Sequence, residues 1–150
     1  MDLLKNWYFQ NIEKKLPDYF EFLRFKSIAN NDDIHPCANW LKNYLKTSGL
    51  SSEIIKTKSA PIVFGEKIEN KDYPTLLLYG HYDVMPVNIK DWDSDPFEPV
   101  LKDDIVYARG ASDNKGQIFY VILAVQAFLE IYKNFPINLS DLYISFLIIS

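Results

Sequence analysis

LLLYGHYDVMPVNIKDWDSDPFEPVLKDDIVYARGASDNKG, residues 76–116, decides how the rest of the chain is read. The run Leu76-Leu77-Leu78-Tyr79 after Pro74 is short, continuous and apolar, as suits a strand buried on both faces of a parallel or mixed sheet. Gly80 ends it. In open α/β sheets ligands bind in the crevice beyond the carboxyl ends of the strands, which is where His81-Tyr82-Asp83 follows. Residues two apart in an extended segment point to the same side. Asp83 can then hold one imidazole nitrogen of His81 while the other faces a metal. A capped loop with a hydrogen-bonded His and Asp satisfies the same spacing, so His-x-Asp alone is a weak signal.

The second block, Tyr107-Ala108-Arg109-Gly110-Ala111-Ser112-Asp113-Asn114-Lys115-Gly116, precedes the most apolar helical segment of the chain. Asp113 falls at a strand-to-helix turn. Backbone N–H groups there favour an ionised carboxylate, which suits a bridging metal ligand and equally an ordinary helix N-cap. Neither block is a phosphate loop: there is no Gly-x-Gly-x-x-Gly, and no Gly-Lys-Ser/Thr after a Gly-x-x-x-x spacer.

Taken together, Gly80-His81-Tyr82-Asp83-Val84 and Arg109-Gly110-Ala111-Ser112-Asp113-Asn114-Lys115-Gly116 resemble the zinc-dependent dipeptidase, aminoacylase and deacylase superfamily. Trp92, Pro96-Phe97-Glu98-Pro99 and Tyr107 to Asp113 resemble its carnosine-dipeptidase-like branch most. The resemblance is densest from Tyr79 to Gln117. It implies that His81 ligates one metal, that Asp83 orients His81 as a catalytic residue, and that Asp113 bridges two metals, with an Asp113–Asn114 peptide bond that is often cis. The implied cofactor is zinc, two ions per complete site, with manganese or cobalt as alternatives. Asp104 departs from the pattern, since relatives usually place Gly in that turn. Aspartate tolerates a left-handed turn at modest cost, so only a local change is expected.

Length is the larger departure. The family places a Glu-Glu pair a few residues beyond the strand that here reads Leu142 to Ser150, and this chain ends first. The general base, the remaining carboxylate and His ligands and the inserted dimerisation domain are not in it. Residues 1–150 are therefore expected to form the amino-terminal part of a catalytic metallopeptidase domain. The expected fold class is α/β: a mixed, largely parallel sheet flanked by helices, an incomplete three-layer α/β/α sandwich. The unbroken apolar run Leu142 to Ile149 leads to the same expectation, because such a strand needs cover on both faces and neighbours on its edges.

The remaining sequence fits a globular domain. Hydrophobic residues make up 48% and aromatics 15% of the 150, ample for a core. The net charge of −4 comes without a basic stripe, which argues against a nucleic-acid partner. Cys37 is the single cysteine, so there is no internal disulfide or zinc knuckle, and a half-buried thiol is expected. No secretory leader pattern opens the chain, and Ile118 to Leu129 is too short for a membrane span of about twenty residues. The cytoplasm is the expected location and a membrane is not an expected partner.

Leu3, Leu4, Trp7, Tyr8, Ile12 and Leu16 recur at helical spacing, with Pro17 expected to break that helix or start the next, and Phe20, Leu23 and Phe25 continuing the pattern. A second helix is expected over Pro36 to Thr47, ending at Gly49, with Trp40, Leu41, Tyr44 and Leu45 inward and His35 as an exposed capping residue ahead of it. Ser52–Lys58 and Pro61–Ile68 read as a hairpin or adjacent strands. Asp91, Asp93 and Asp95 alternate like a calcium loop but lack its central Gly and terminal Glu, so Trp92 and Phe97 are expected to anchor that loop on the sheet. From Gly116 to Asn134 an almost wholly apolar helix is expected, stopped by Pro136.

The functional expectation is a metal-dependent hydrolase of amide bonds in dipeptides or small N-acyl amino acids, working by two-zinc activation of water. Two protein ligands fall short of the three usual for one catalytic zinc, so the lone chain is expected to be inactive. It is then one half of a split enzyme completed by a carboxyl-terminal polypeptide, or a non-catalytic remnant or interaction module.

Overall fold

The computed structural model describes residues 2–29, 33–58 and 60–144. Helix α1 spans Asp2–Arg24 and runs through Pro17 instead of breaking there. Proline costs an internal helix a hydrogen bond. Here Pro17 is exposed, and Trp7 before it and Phe22 after it are buried in the same core, so packing on both sides holds the helix in one piece. Helix α2, Ile34–Thr47, buries Ile34, Cys37, Ala38, Leu41 and Leu45 at three- and four-residue steps. Its carboxyl end turns at Gly49 with φ of +92°. Trp40 and Tyr44 are half-buried and stack at 4.7 Å. Cys37 is fully buried, not half-buried as expected, because its position in α2 faces the centre of the core. His35 lies inside α2 as an exposed residue rather than ahead of it.

Strands β1 (Ser51–Ile55) and β2 (Ile62–Lys67) form the expected antiparallel hairpin. Strand β3 is Thr75–His81. A short 3₁₀ turn at Ile89–Asp91 leads to a second hairpin, β4 (Val100–Lys102) with β5 (Ile105–Tyr107). Its turn places Asp103 and Asp104 at φ of 51° and 61°, so Asp104 adopts the left-handed conformation that relatives give to glycine. Helix α3, Lys115–Tyr132, leads through Pro136 to β6, Asn138–Ile144. The expected strand to Ile149 lies partly outside the described residues.

The main sheet is mixed, in the order β1-β2-β6-β3. Strand β6 pairs parallel with β3 and antiparallel with β2, so the parallel component is smaller than the sequence suggested. The reason is local: a short β1–β2 turn can join only antiparallel strands, whereas α3 supplies the crossover that a parallel β3–β6 pair needs. All three helices contribute to one core with Val63 and Tyr143, which share a register row with Ile54 and Gly80 and hence one face of the sheet. The other face of β3 is open among the described residues. Leu77 is 59% and Tyr79 54% exposed, and Leu76 on the inner face is 46% exposed, so this strand is not buried on both faces as expected. It is an edge strand here, with β6 its one partner among the described residues. Asn138 secures its start. The side chain donates to Asn70 O and Tyr73 O and accepts from the backbone of Glu69 and Asn70.

Candidate metal centre

The carboxyl end of β3 carries His81, and the turn into α3 lies directly across from it. Close packing makes that approach possible. A Cβ on Gly80 would sit 2.8 Å from both Asn114 Oδ1 and Ile118 Cγ1, so only glycine lets β3 lie this near α3. A Cβ on Gly116 would meet the Ala111 carbonyl oxygen at 2.1 Å, which fixes the tight turn ahead of α3 in the same way. Asn114 closes the gap by accepting the His81 backbone N–H at 3.2 Å. The Asp113–Asn114 peptide bond is cis.

These constraints put two carboxylates on one imidazole. His81 Nδ1 lies 3.1 Å from Asp83 Oδ1, and Nε2 lies 3.0 Å from Asp113 Oδ1. Asp83 is buried, with 7% of its side chain exposed, whereas that of Asp113 is 79% exposed. The two carboxylates therefore differ in character: Asp83 is held in the protein, and Asp113 opens to a ligand. A neutral imidazole carries one proton and can donate to only one of them. In the tautomer that gives Nδ1–H to Asp83, the Nε2 lone pair faces Asp113 Oδ1, and a cation between them would satisfy both. Two ligands of a tetrahedral zinc at their usual bond lengths stand about 3.3 Å apart, a few tenths of an ångström from the observed spacing. The donor set, one imidazole nitrogen and one carboxylate with an outer carboxylate behind the histidine, suits a divalent metal. No group of three or more His, Cys, Asp and Glu side chains at metal spacing occurs among the described residues.

Behind the pair lies a buried polar layer that the sequence did not disclose. Ser27 is fully buried and donates to Tyr82 O at 2.7 Å, while its own carbonyl accepts from Val84 N at 2.9 Å. Tyr82 is fully buried too, and its hydroxyl donates to Pro61 O. Burial pushes that hydroxyl's pKa up. Lys115 donates from Nζ to Phe22 O at 3.0 Å and Phe25 O at 2.7 Å, and desolvation lowers its pKa to about 8. The Cys37 thiol is raised by burial. Asn114 and Lys115 stood beside a motif residue in sequence and were within reach of a sequence argument. Ser27 was not, since its partner is 55 residues away.

The acidic loop is anchored on aromatics. Phe97 is buried with Lys26 Nζ 5.6 Å from its ring centroid, and the Arg109 guanidinium lies 5.3 Å from the half-buried Trp92 ring. Asp91, Asp93 and Asp95 are exposed around them.

The model of peptidase family M20/M25/M40 matches residues 77–140, a span that includes His81, Asp83 and Asp113. The resemblance is to the M20 peptidases. A succinyl-diaminopimelate desuccinylase of Wolbachia pipientis is 37% identical over 112 residues, covering 70% of this chain and 26% of that protein. An M20-family metallo-carboxypeptidase of Sulfolobus solfataricus superposes with a TM-score of 0.81 at 35% identity, covering 87% of this chain and 30% of that one. Human carnosine dipeptidase 1 shares the fold, with a TM-score of 0.84 at 21% identity over 95% of this chain and 33% of its own. This chain thus spans about a quarter to a third of the M20 proteins it matches. Its likeness is to one portion of their α/β fold, the portion that carries the His81 and Asp113 motifs here. No described helix is long and apolar enough to cross a membrane.

Proposed function

We propose that this chain supplies part of the metal centre of an M20-type amidohydrolase acting on dipeptides or small N-acyl amino acids. The single observation that carries the reading is the His81 ring held between Asp83 and Asp113, at 3.1 and 3.0 Å. In it, His81 Nε2 and Asp113 would hold the metal, Asp113 would be the carboxylate shared between two zinc ions, and Asp83 would be the outer carboxylate behind His81.

Each residue has a distinct role. Asp83 accepts Nδ1–H, which fixes the tautomer and leaves Nε2 as a donor to metal. Asp113, open to solvent, contributes negative charge at the metal. Asn114 locks the two ligand-bearing segments together through the His81 N–H. When bound, zinc supplies Lewis acidity toward an amide carbonyl and makes water acidic enough to serve as nucleophile near neutral pH. A Glu base and further ligands come from outside the described residues, in the same polypeptide or in a complementary one. The desuccinylase and dipeptidase named among the similar proteins both cleave amide bonds, and that common chemistry supports the proposed substrate class.

One observation favours a second reading, a non-catalytic module: fewer than three ligands at metal spacing occur among the described residues. A single experiment separates the two. The protein is isolated gently from its own cells, the mass of anything co-purifying is measured, and hydrolysis of dipeptides and N-succinyl amino acids is followed before and after chelation. Hydrolysis that chelator abolishes, zinc restores and Asp113→Ala removes supports the enzyme. Complete absence of hydrolysis, in a preparation that binds zinc or not, supports the module.

A further inference from the structure

We propose that Lys115 is a positioning residue for the metal centre, a buried ammonium that pins the end of α1 beneath the two ligand-bearing segments. The inference rests on the reading of His81 and Asp113 as metal ligands and concerns what holds them in place.

Lys115 is fully buried, an uncommon state for lysine. Its stem passes under the turn, where a Cβ on Gly110 would meet Lys115 Cδ at 3.3 Å. Its head reaches the last turn of α1, whose terminal carbonyls have no partners within the helix. There it takes Phe22 O and Phe25 O, with the Phe22 ring centroid 5.2 Å from Nζ. Immediately beyond, the chain runs as a strap beside the His81–Asp83 loop. Ser27 O accepts from Val84 N, Ala29 N donates to Val84 O, and Ile28 bridges Val84 in parallel. The hydroxyl of Ser27 holds Tyr82 O from the same strap.

Lys115 therefore ties the start of α3 to the end of α1. It is two residues from Asp113 and opens α3, and through Phe22 O and Phe25 O it fixes the strap that grips the residues on both sides of Asp83. Capping a helix end does not need this arrangement, since water, a glycine turn or a surface lysine does it without burying a charge. A buried charge contributes little to stability alone. Its place between the start of α3 and the strap that holds Tyr82 and Val84 gives it a second role, which is to hold the carboxylate, imidazole and Asp113 in register.

The test is zinc affinity of the full protein, by competition with a chromophoric chelator, in Lys115→Met, Lys115→Arg, Ser27→Ala and a control, Leu41→Ala. Leu41 is fully buried in the same core and belongs to neither motif, so it reports general loosening. Lys115→Met is expected to weaken zinc binding at least tenfold, within the range of about 10–100-fold for outer groups of metal sites. Lys115→Arg should recover part of the loss, and Leu41→Ala should stay within twofold of wild type when both are folded. Equal weakening by Leu41→Ala, or affinity within twofold of wild type in Lys115→Met, overturns the proposal. Should Lys115→Met fail to fold, Ser27→Ala decides: a threefold or greater loss supports the strap, and an unchanged affinity refutes it. Zinc binding in wild type that His81→Ala leaves untouched sinks the metal-centre reading itself, a result distinct from the others.

Discussion

Replacing Gly80 with alanine tests how tightly β3 must approach α3 for the centre to exist. The added methyl would lie 2.8 Å from Asn114 Oδ1 and 2.8 Å from Ile118 Cγ1, where ordinary contact begins at 3.4 Å, so both neighbours must give by about 0.6 Å. Two routes are open. If α3 slides away from the sheet, the overpacking costs about 1–3 kcal/mol. If the Asn114 amide swings aside, the His81 backbone N–H loses its acceptor, at about 1–3 kcal/mol for a buried group. The first route carries Asp113, at the start of α3, away from His81, and the second frees the end of β3 that carries His81. We expect Gly80→Ala to lower the unfolding free energy by about 2 kcal/mol in urea titrations and to weaken zinc binding about tenfold or more. Stability and affinity both indistinguishable from wild type would refute the claim that this close approach builds the site.

Three further outcomes follow from the buried groups. Burial raises the Cys37 thiol above its ordinary value of 9.0, so the folded state favours the protonated form. That stabilisation is intact below pH 9 and is lost as pH rises through the folded value; the unfolding free energy of wild type minus Cys37→Ala should fall above pH 9, and a flat difference contradicts this. Lys115, whose lowered pKa of about 8 has the opposite sign, adds stability as pH rises from there toward 10.5, and the thiol and ammonium act on each other, so the comparison is made in the Lys115→Met background. Tyr82→Phe removes the donor to Pro61 O in a fully buried position and should cost about 1–3 kcal/mol in urea unfolding, with no measurable loss counting against it. Leu41→Ala, in the middle of the α2 core face, should cost about 2–5 kcal/mol by thermal or urea unfolding, and a cost under about 1 kcal/mol would show that face to be less well packed than described.

What could be read from the sequence was governed by distance along the chain. The contact between His81 and Asp83 needs only an extended backbone, and residues two apart in such a segment are neighbours wherever the strand ends up. Gly49 at the end of α2 and the left-handed Asp104 are similarly local. The meeting of His81 with Asp113, 32 residues away, followed from a family likeness and not from spacing. Properties that depend on what packs where were harder. Pro17 signals a break unless both halves of the helix dock on one core, as they do. Leu76 to Tyr79 read as a strand buried on both faces, yet apolarity does not say which neighbours a strand has, and β3 is an edge in the described sheet. Lys115 stands in the Arg109–Gly116 motif, but its burial and its partner 90 residues away depend on the fold; Ser27, whose partner is 55 residues away, gave no signal in the sequence at all.

The chain has two histidines, His81 at the proposed centre and His35 exposed on α2, and this makes the central claim directly measurable. Histidine-selective nitrogen-15 NMR of the protein titrated with zinc should shift His81 Nε2 while His35 stays put, and Asp113→Asn should suppress the response. A His81 resonance that zinc leaves unmoved, or equal shifts at both histidines that survive Asp113→Asn, would contradict a metal site built on His81 and Asp113.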